Sequence, residues 1–247
     1  MDVRIPIIEK RLATVERIVG VTGGKGGIGK SSVASLLALS LSSRGRNVGL
    51  LDLDLSSPST HFILGINDAK IEEEKGIVPP HVDGIRFMSF ALFAEEGAVP
   101  LRGYDISNAI VEILSTTIWG ELDFLVLDLP PGTSDAILDV VRLVRRIEFI
   151  VVLTPSRLAS HAVRRHVELL KEYGLPILCL IENLSGGKES ANQETCTCTQ
   201  RFFSIPYDKG FEAALGDRRR LRRTAFFEAI EGVTSLLTGP RSLEEHF

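Results

Sequence analysis

A glycine-rich loop between an apolar run and a helical pattern constrains the fold of this chain most strongly. Residues 24–31 fit the frame G-x-x-x-x-G-K-S/T, in which backbone amides wrap phosphate oxygens, a lysine neutralises them and a hydroxyl binds Mg²⁺. Residues 17–22 indicate a buried strand and residues 30–43 a helix. The loop therefore opens a helix N-terminus, where orphan amides and the helix dipole favour anions. This pattern predicts a phosphate-binding site.

Carboxylates follow two of the predicted strands at their carboxyl ends. Asp52 and Asp54 come after a short apolar strand, and alternation along an extended chain puts them on one side. Asp128 ends a longer apolar run that is typical of a central parallel strand. A phosphate loop requires an acidic partner, so we expect Asp128 to hold Mg²⁺ through water while Ser31 binds it directly.

The rest of the chain sustains an alternation of strands and helices. With 247 residues, 44% of them hydrophobic and 24% charged, the chain suits one large domain. We predict a doubly wound α/β fold with a mainly parallel sheet and nucleotide at the strand ends. The predicted domain spans residues 1–247, with a lead-in at 1–16, a solvated insertion at 68–76 and a flexible cysteine-bearing insertion at 186–201. Further strands and helices are predicted at residues 85–90, 105–119, 148–154, 158–173 and 175–182.

Lys25 is an addition that an ordinary phosphate loop does not need. Residues 25–31 match K-G-G-x-G-K-S/T, and on this motif the chain resembles the ParA/MinD family of deviant Walker A (phosphate-loop) ATPases. The string DLPPGTSD at residues 128–135 narrows the resemblance to the Mrp/ApbC-type subgroup, the nucleotide-dependent iron-sulfur carrier proteins. The strings IENLS at 181–185 and SIPYD at 204–208 extend it over nearly the whole chain.

The resemblance implies a chemistry and the residues that carry it. It implies a homodimer that binds MgATP and hydrolyses it slowly, in which Lys25 touches the ATP of the partner subunit. Asp52 would lie near the magnesium, and Asp54 would orient the attacking water. Asn183 would hydrogen-bond the adenine, and Pro206 would start the loop on its other side. The predicted catalytic residues are Lys25, Lys30 and Asp54, and the predicted magnesium site is Ser31, Asp52 and Asp128. The predicted nucleotide-binding residues are Gly24, Lys25, Gly26, Gly27, Ile28, Gly29, Lys30, Ser31, Ser32, Asn183 and Pro206.

Cys196 and Cys198 lie in a polar segment, whereas Cys179 is embedded in an apolar strand pattern. Thiolates bind soft metals and iron-sulfur clusters, and two chains would offer four of them. In the resembled subgroup a cysteine pair from each subunit bridges a cluster at the dimer interface. Here only Thr197 separates the two cysteines, where the family usually has two residues. The sequence leaves three alternatives for this cysteine pair: it binds an iron-sulfur cluster, it binds zinc, or it binds no metal.

Charge and composition restrict the partners. The net charge of −4 provides no global basic field, so nucleic acid is not an expected partner. No apolar run approaches the roughly 18 residues that span a bilayer, and the C-terminal residues lack the basic amphipathic helix of a membrane anchor. The first residues lack a secretory pattern and the cysteines are odd in number, which favours a reducing cytoplasm.

The sequence therefore supports three alternative functions. The main expectation is a dimeric ATPase that carries or assembles iron-sulfur clusters for apo iron-sulfur proteins. The run RRRLRR at residues 218–223 keeps a ParA/MinD-like switch for DNA partitioning or protein positioning as an alternative, because such relatives bind DNA through basic patches. A nucleotide-dependent scaffold that has lost its metal is the third.

Overall fold

The computed structural model describes residues 3–67, 69–93, 103–131, 135–186 and 201–240. Its strands are β1 (Val15–Thr22), β2 (Val48–Asp52), β3 (Glu72–Glu73), β4 (Ile77–Val78), β5 (His81–Val82), β6 (Ile85–Ser89), β7 (Leu122–Asp128), β8 (Ile147–Leu153), β9 (Ile177–Ser185) and β10 (Phe202–Pro206). Its helices are α1 (Ile5–Leu12), α2 (Lys30–Ser43), α3 (Thr60–Leu64), α4 (Gly103–Thr116), α5 (Asp135–Leu143), α6 (Arg157–Glu172), α7 (Lys209–Ala214), α8 (Arg218–Leu221) and α9 (Ala225–Thr238).

A central sheet organises these elements. Within the described residues it has eight strands in the order β10-β9-β8-β1-β7-β2-β6-β5. All its neighbouring strands there run parallel except β5, which is antiparallel to β6. β1 lies between β7 and β8, so the glycine-rich loop leaves the sheet near its centre. The predicted doubly wound, mainly parallel α/β fold is confirmed.

Helices cover both faces of the sheet and enclose two apolar cores. α2, α3, α7, α8 and α9 contribute to one core, and α1, α4, α5 and α6 contribute to the other. The predicted lead-in contains α1, whose Ile8 and Leu12 are buried in the second core. Among the described residues, every helix is too short or too polar to cross a bilayer.

α2 is more deeply enclosed than its sequence pattern suggests. The spacing of its leucines predicts one apolar stripe against the sheet, yet its residues are buried all round from Val33 to Leu41. Ser35 and Ser40 are fully buried too, and Thr234 of α9 hydrogen-bonds the Ser40 hydroxyl at 2.9 Å. α9 covers the side of α2 that faces away from the sheet, a long-range packing that local periodicity does not encode.

The acidic segment predicted as a solvated insertion contains regular structure. Glu72 and Glu73 are exposed, as expected for an acidic face, but they form β3 and pair with β4. The Arg11 guanidinium donates to the Lys75 carbonyl at 2.9 Å and so fastens this hairpin to α1. The hairpin itself was not predicted from the sequence, because its stabilising contact comes from a distant helix.

Candidate nucleotide-binding site

The glycine-rich loop has the backbone of an anion cradle. Gly27 and Gly29 have left-handed φ angles of 72° and 89°, a region that glycine adopts without a Cβ penalty. Gly29 is the N-cap of α2, and its carbonyl accepts the first helical bond from the Val33 amide at 3.0 Å. The free amides of the first turn of α2 therefore open toward the loop, where they favour an anion.

A cavity of about 580 Å³ opens over this loop. One side is polar and consists of the loop, the start of α2 and the segment after β2. The other side is more apolar and comes from the end of β10 and from α7 and α9. Its lining includes Gly26, Gly27, Gly29, Lys30, Ser31, Ser32, Asp54, Ser56, Ser57, Ser59, Ile63, Pro131, Asn183, Leu184, Pro206, Tyr207, Asp208, Phe211, Glu212, Leu215 and Phe226.

Asp128 is a fully buried carboxylate at the carboxyl end of β7, level with Asp52 on β2. Neither carboxylate oxygen has a partner with full hydrogen-bond geometry within the described residues, although the Ser31 hydroxyl is close enough to act on the carboxylate. Burial and the charge of Asp52 raise its pKa well above the ordinary value, while the Ser31 hydroxyl and the Lys30 ammonium act in the opposite direction. A buried, unpaired carboxylate is costly without a cation. These oxygens, with the Ser31 hydroxyl nearby, therefore fit a Mg²⁺ ion.

Asp52 is engaged with the segment that follows it. Its Oδ1 accepts the Asp54 amide at 3.0 Å. Its Oδ2 accepts the amides of Ser59 and Thr60 at 3.1 and 3.2 Å and the Thr60 hydroxyl at 2.7 Å. Burial raises the pKa of Asp52 above its ordinary value, and these hydrogen bonds offset part of that rise. Asp52 thus fixes the loop to α3, a role that adds to the predicted one near magnesium.

Asp54 lies in the cavity wall on the same loop. Its Oδ1 accepts the Ser56 hydroxyl at 2.7 Å and the Ser57 amide at 3.2 Å. It is 8% exposed, so its carboxylate is shielded from bulk water and is held in one orientation. A carboxylate fixed beside a phosphate cradle can orient a water molecule for attack.

Asn183 supports the loop directly. Its Nδ2 donates to the Ile28 carbonyl at 2.9 Å, and its buried Oδ1 has no partner among the described residues. A Cβ on Gly29 would lie 2.2 Å from Nδ2, so only glycine leaves room for this contact. The predicted contact of Asn183 with adenine stays a prediction, for which Oδ1 is the available acceptor.

Aromatic side chains form the other end of the cavity. Phe211 of α7 and Phe226 of α9 pack with ring centroids 4.8 Å apart, beside Pro206 and the exposed Tyr207. Flat apolar walls with a few polar groups are typical of sites for small aromatic ligands. This end therefore suits a nucleobase, with the phosphates over the glycine-rich loop.

The two loop lysines differ in position. Lys30 is 5% exposed and lines the cavity, and its role as a phosphate ligand stays a prediction. Lys25 is half-buried and, like Gly24 and Ile28, is not among the described residues that line the cavity. The predicted role of Lys25 toward a partner subunit stays a prediction. Cys196 and Cys198 lie outside the described residues.

His166 lies beneath the glycine-rich loop, a position that the sequence pattern does not indicate. It is fully buried on α6, and its Nε2 lies 2.9 Å from the Thr22 hydroxyl at the end of β1. Burial, with a smaller effect of Lys30, lowers its pKa to about 4. Helical spacing gave no signal for this contact, because it joins residues 144 positions apart.

Cys179 is separate from the site. It is fully buried on β9, and burial raises its pKa to about 12. Its burial agrees with the prediction that Cys179 is embedded in an apolar strand.

This fold and this cavity define a P-loop NTPase of the ParA/MinD type. A family model described as ParA, NUBPL iron-transfer P-loop NTPase, matches residues 14–213. The chain belongs to this family, which confirms the resemblance inferred from the motifs.

Two relatives carry names of the same kind. An iron-sulfur cluster carrier protein of Pseudomonas fragi is 38% identical over 178 residues, which are 70% of this chain and 62% of that protein. A cytosolic Fe-S cluster assembly factor, a NUBP2 homolog of Trichoplax adhaerens, is 37% identical over 187 residues, 72% of this chain and 71% of the relative. The match thus spans less than two thirds of the Pseudomonas protein.

Solved structures share the architecture. A nucleotide-binding protein from Archaeoglobus fulgidus in complex with ADP has a TM-score of 0.75 at 27% identity, with 98% of this chain and 99% of the other covered. The cell division ATPase MinD of Pyrococcus furiosus has a TM-score of 0.64 at 20% identity, with 90% and 99% covered. The second likeness shows the fold alone.

Proposed function

We propose that this protein binds MgATP, hydrolyses it slowly as a homodimer, and acts as an iron-sulfur cluster carrier or assembly factor. The observation that carries the ATPase part is Asp128, a fully buried carboxylate with two unpaired oxygens beside Ser31 and Lys30. Buried carboxylates in proteins are usually paired with a cation or coordinate a metal ion, so this one supports a bound Mg²⁺. The ADP bound by the Archaeoglobus relative supports a nucleotide as the ligand.

Each residue of the site has a role in this proposal. The loop amides and Lys30 bind the β- and γ-phosphates and neutralise their charge. Ser31 and Asp128 hold the magnesium, which when bound supplies charge stabilisation to the phosphate oxygens. Asp54 orients the attacking water and takes part in moving its proton. Asp52 keeps Asp54 in place through the hydrogen bond that the Asp54 backbone amide donates to its Oδ1.

The cluster-carrying part rests on the family and on the cysteine pair. The names of the Pseudomonas and Trichoplax relatives refer to carriage and assembly of iron-sulfur clusters. Cys196 and Cys198 supply two thiolates per chain, and a dimer would supply four, the number that a bridged [4Fe–4S] cluster uses. Apo iron-sulfur proteins would be the recipients.

The ATPase part is tested by Asp128→Asn, a nearly isosteric change. We expect Mg²⁺-dependent ATP hydrolysis to fall by about 100-fold or more, because the metal loses a buried anionic partner. The melting temperature of the nucleotide-free protein should rise, because the variant no longer buries an unpaired carboxylate. Glu168→Gln, an exposed acid on α6, is the matched control. Hydrolysis that is equal in Asp128→Asn and in the control contradicts the proposal.

The cluster part is tested by anaerobic reconstitution of the purified full chain with iron and sulfide. We expect bound iron and sulfide in the unaltered protein and their loss in the double variant Cys196→Ser with Cys198→Ser. Cys179→Ser is the control, since Cys179 is buried in the core. Iron binding that survives the double substitution contradicts the carrier role and leaves the ATPase role untouched.

A further inference from the structure

Two arginines of the run at 218–223 are engaged inside the fold. Arg218 donates from Nη1 to the carbonyls of Leu64 and Gly65, and its Nε lies 3.5 Å from the Asp83 carboxylate. Arg222 donates to the same Asp83 oxygen at 2.7 Å and to the Ser43 hydroxyl at 3.1 Å. Residues four apart lie on one side of a helix, so the spacing of Arg218 and Arg222 places both toward Asp83.

This arrangement bears on the basic-patch alternative. Arg219, Arg220 and Arg223 are exposed, and Arg220 lies 3.4 Å from Asp217. Only part of the run therefore remains available to an external anion. The arginine run is explained first by its contacts within the chain.

The contact with Leu64 and Gly65 lies at the end of α3, the helix whose start is held by Asp52. The Gly216 amide donates to the Ile63 carbonyl at 3.0 Å, next to the Arg218 contact. A Cβ on Gly65, which has φ 64°, would lie 2.1 Å from the Gly216 carbonyl oxygen. The end of α3 and the junction between α7 and α8 are therefore in close backbone contact.

Both sides of this contact reach the nucleotide cavity. Ile63 lines the cavity from α3, and Phe211 and Leu215 line it from α7 and its C-terminal end. Arg218 thus connects the aromatic end of the cavity to α3, whose Thr60 donates a hydrogen bond to Asp52. Two neighbouring contacts link the ends of the cavity: the hydrogen bonds of the Arg218 guanidinium to the end of α3, and the hydrogen bond from the Gly216 amide to the Ile63 carbonyl.

We propose that Arg218 is a positioning residue that couples occupation of the aromatic end of the cavity to the order of the loop carrying Asp54. This coupling rests on the proposed nucleotide-binding function. A ligand at the aromatic end of the cavity, against Phe211 and Phe226, stabilises α7. Arg218 transmits that order to the end of α3, and α3 then holds the segment from Asp52 to Thr60.

The physical reason is the length of α3. A helix of five residues is not stable alone and depends on contacts at its ends. Asp52 satisfies the amides at its start, and a guanidinium at its last carbonyls satisfies acceptors and complements the helix dipole. Lysine cannot reproduce the arrangement, because arginine offers several donors in a fixed plane and reaches the carbonyls and Asp83 together.

Hydrogen exchange on the full chain, with and without MgADP, tests the coupling. ADP lacks the γ-phosphate, on which Asp54 acts in the proposed function, so a response to ADP does not depend on that group. In the unaltered protein we expect ADP to slow exchange at the amides of residues 59–65 by about tenfold or more. In Arg218→Ala we expect ADP still to bind, with a change in Kd of about threefold or less, and the slowing to fall below about twofold.

Arg219→Ala is the matched control, because it removes an exposed arginine from the same helix. It should behave as the unaltered protein does. Arg218→Lys serves if Arg218→Ala fails to fold, and it should lose most of the slowing although it keeps the charge. Full slowing in the Arg218 variants, or equal loss in Arg219→Ala, overturns the coupling. Absence of ADP binding to the unaltered protein, seen by calorimetry before any exchange is measured, overturns the proposed function and the coupling with it.

Discussion

His166 is neutral and lies beneath the glycine-rich loop, whose backbone geometry favours anions. Its ring is fully buried against Thr22, and the nearby Lys30 disfavours a second positive charge. Its Nε2 forms a hydrogen bond with the Thr22 hydroxyl at the end of β1. The neutral ring therefore contributes to the position of the strand from which the glycine-rich loop starts.

We predict an acid-dependent loss of stability that is specific to His166. Its pKa is about 4 in the fold against 6.5 ordinarily, so the unfolded chain binds the proton first. The contribution is present above pH 6.5 and is lost as the pH falls toward 4, by up to about 3 kcal/mol in the free energy of unfolding. Urea denaturation at several pH values should show this slope reduced in His166→Gln. His81→Gln, an exposed histidine, should keep it; equal slopes in both variants contradict the assignment.

At the scale of the element, α3 is defined by the carboxylate that precedes it. Ser59 is the N-cap by position, but its side chain makes no capping hydrogen bond. The capping function passes instead to Asp52, seven residues before the N-cap, which accepts the first amides of the helix and the Thr60 hydroxyl. The start of α3 therefore depends on the residue that was predicted only for its proximity to magnesium.

Thr60→Val and Ser59→Ala distinguish these two capping roles. Thr60→Val removes a buried hydroxyl bonded to Asp52 at 2.7 Å, and it should lower the free energy of unfolding by about 1 to 2 kcal/mol. Ser59→Ala keeps the hydrogen bond from the backbone amide of residue 59 to Asp52, and it should change the free energy of unfolding by about 0.5 kcal/mol or less. Chemical denaturation at neutral pH measures both. A larger loss in Ser59→Ala would show that the serine side chain is the real cap.

The sequence predicted the elements around the site better than the contacts between them. The helix at Lys30–Ser43, the strand before the loop and the carboxylate at the end of β7 all follow from local pattern and motif. The burial of α2 by α9 and the contact of His166 with Thr22 were not predicted. Both join distant segments, and no periodicity in one segment specifies its partner in another.

At the scale of the whole molecule, the mouth of the cavity presents exposed side chains to solvent. Asp54 and the serines beside it line an open wall, and Tyr207 and Leu184 are exposed at the same cavity. Lys25 stands next to the cradle, but among the described residues it is not part of the lining of its own cavity. In the proposed homodimer, the Lys25 of a second subunit that faces this mouth would contact the phosphates, as the family resemblance implies.

We predict that Lys25→Ala separates binding from assembly. ATP binding to the monomer should change by about threefold or less, because Lys30 and the loop amides remain, while ATP-dependent dimerisation and hydrolysis should fall by about tenfold or more. Calorimetry, light scattering and phosphate release measure the three quantities. Lys171→Ala, an exposed lysine on α6, should affect none of them. Equal losses of all three in Lys25→Ala would mean that it is simply another ligand of its own nucleotide.

The buried Cys179 has a practical consequence for work on the intact molecule. Thiol reagents attack thiolates, and a thiol with a pKa of about 12 inside the sheet is almost entirely protonated at neutral pH. Native protein treated with a maleimide should therefore leave Cys179 unlabelled, whereas denatured protein should label all three cysteines. Any label counted before denaturation reports Cys196 and Cys198 alone, so the occupancy of that pair can be followed without replacing any residue.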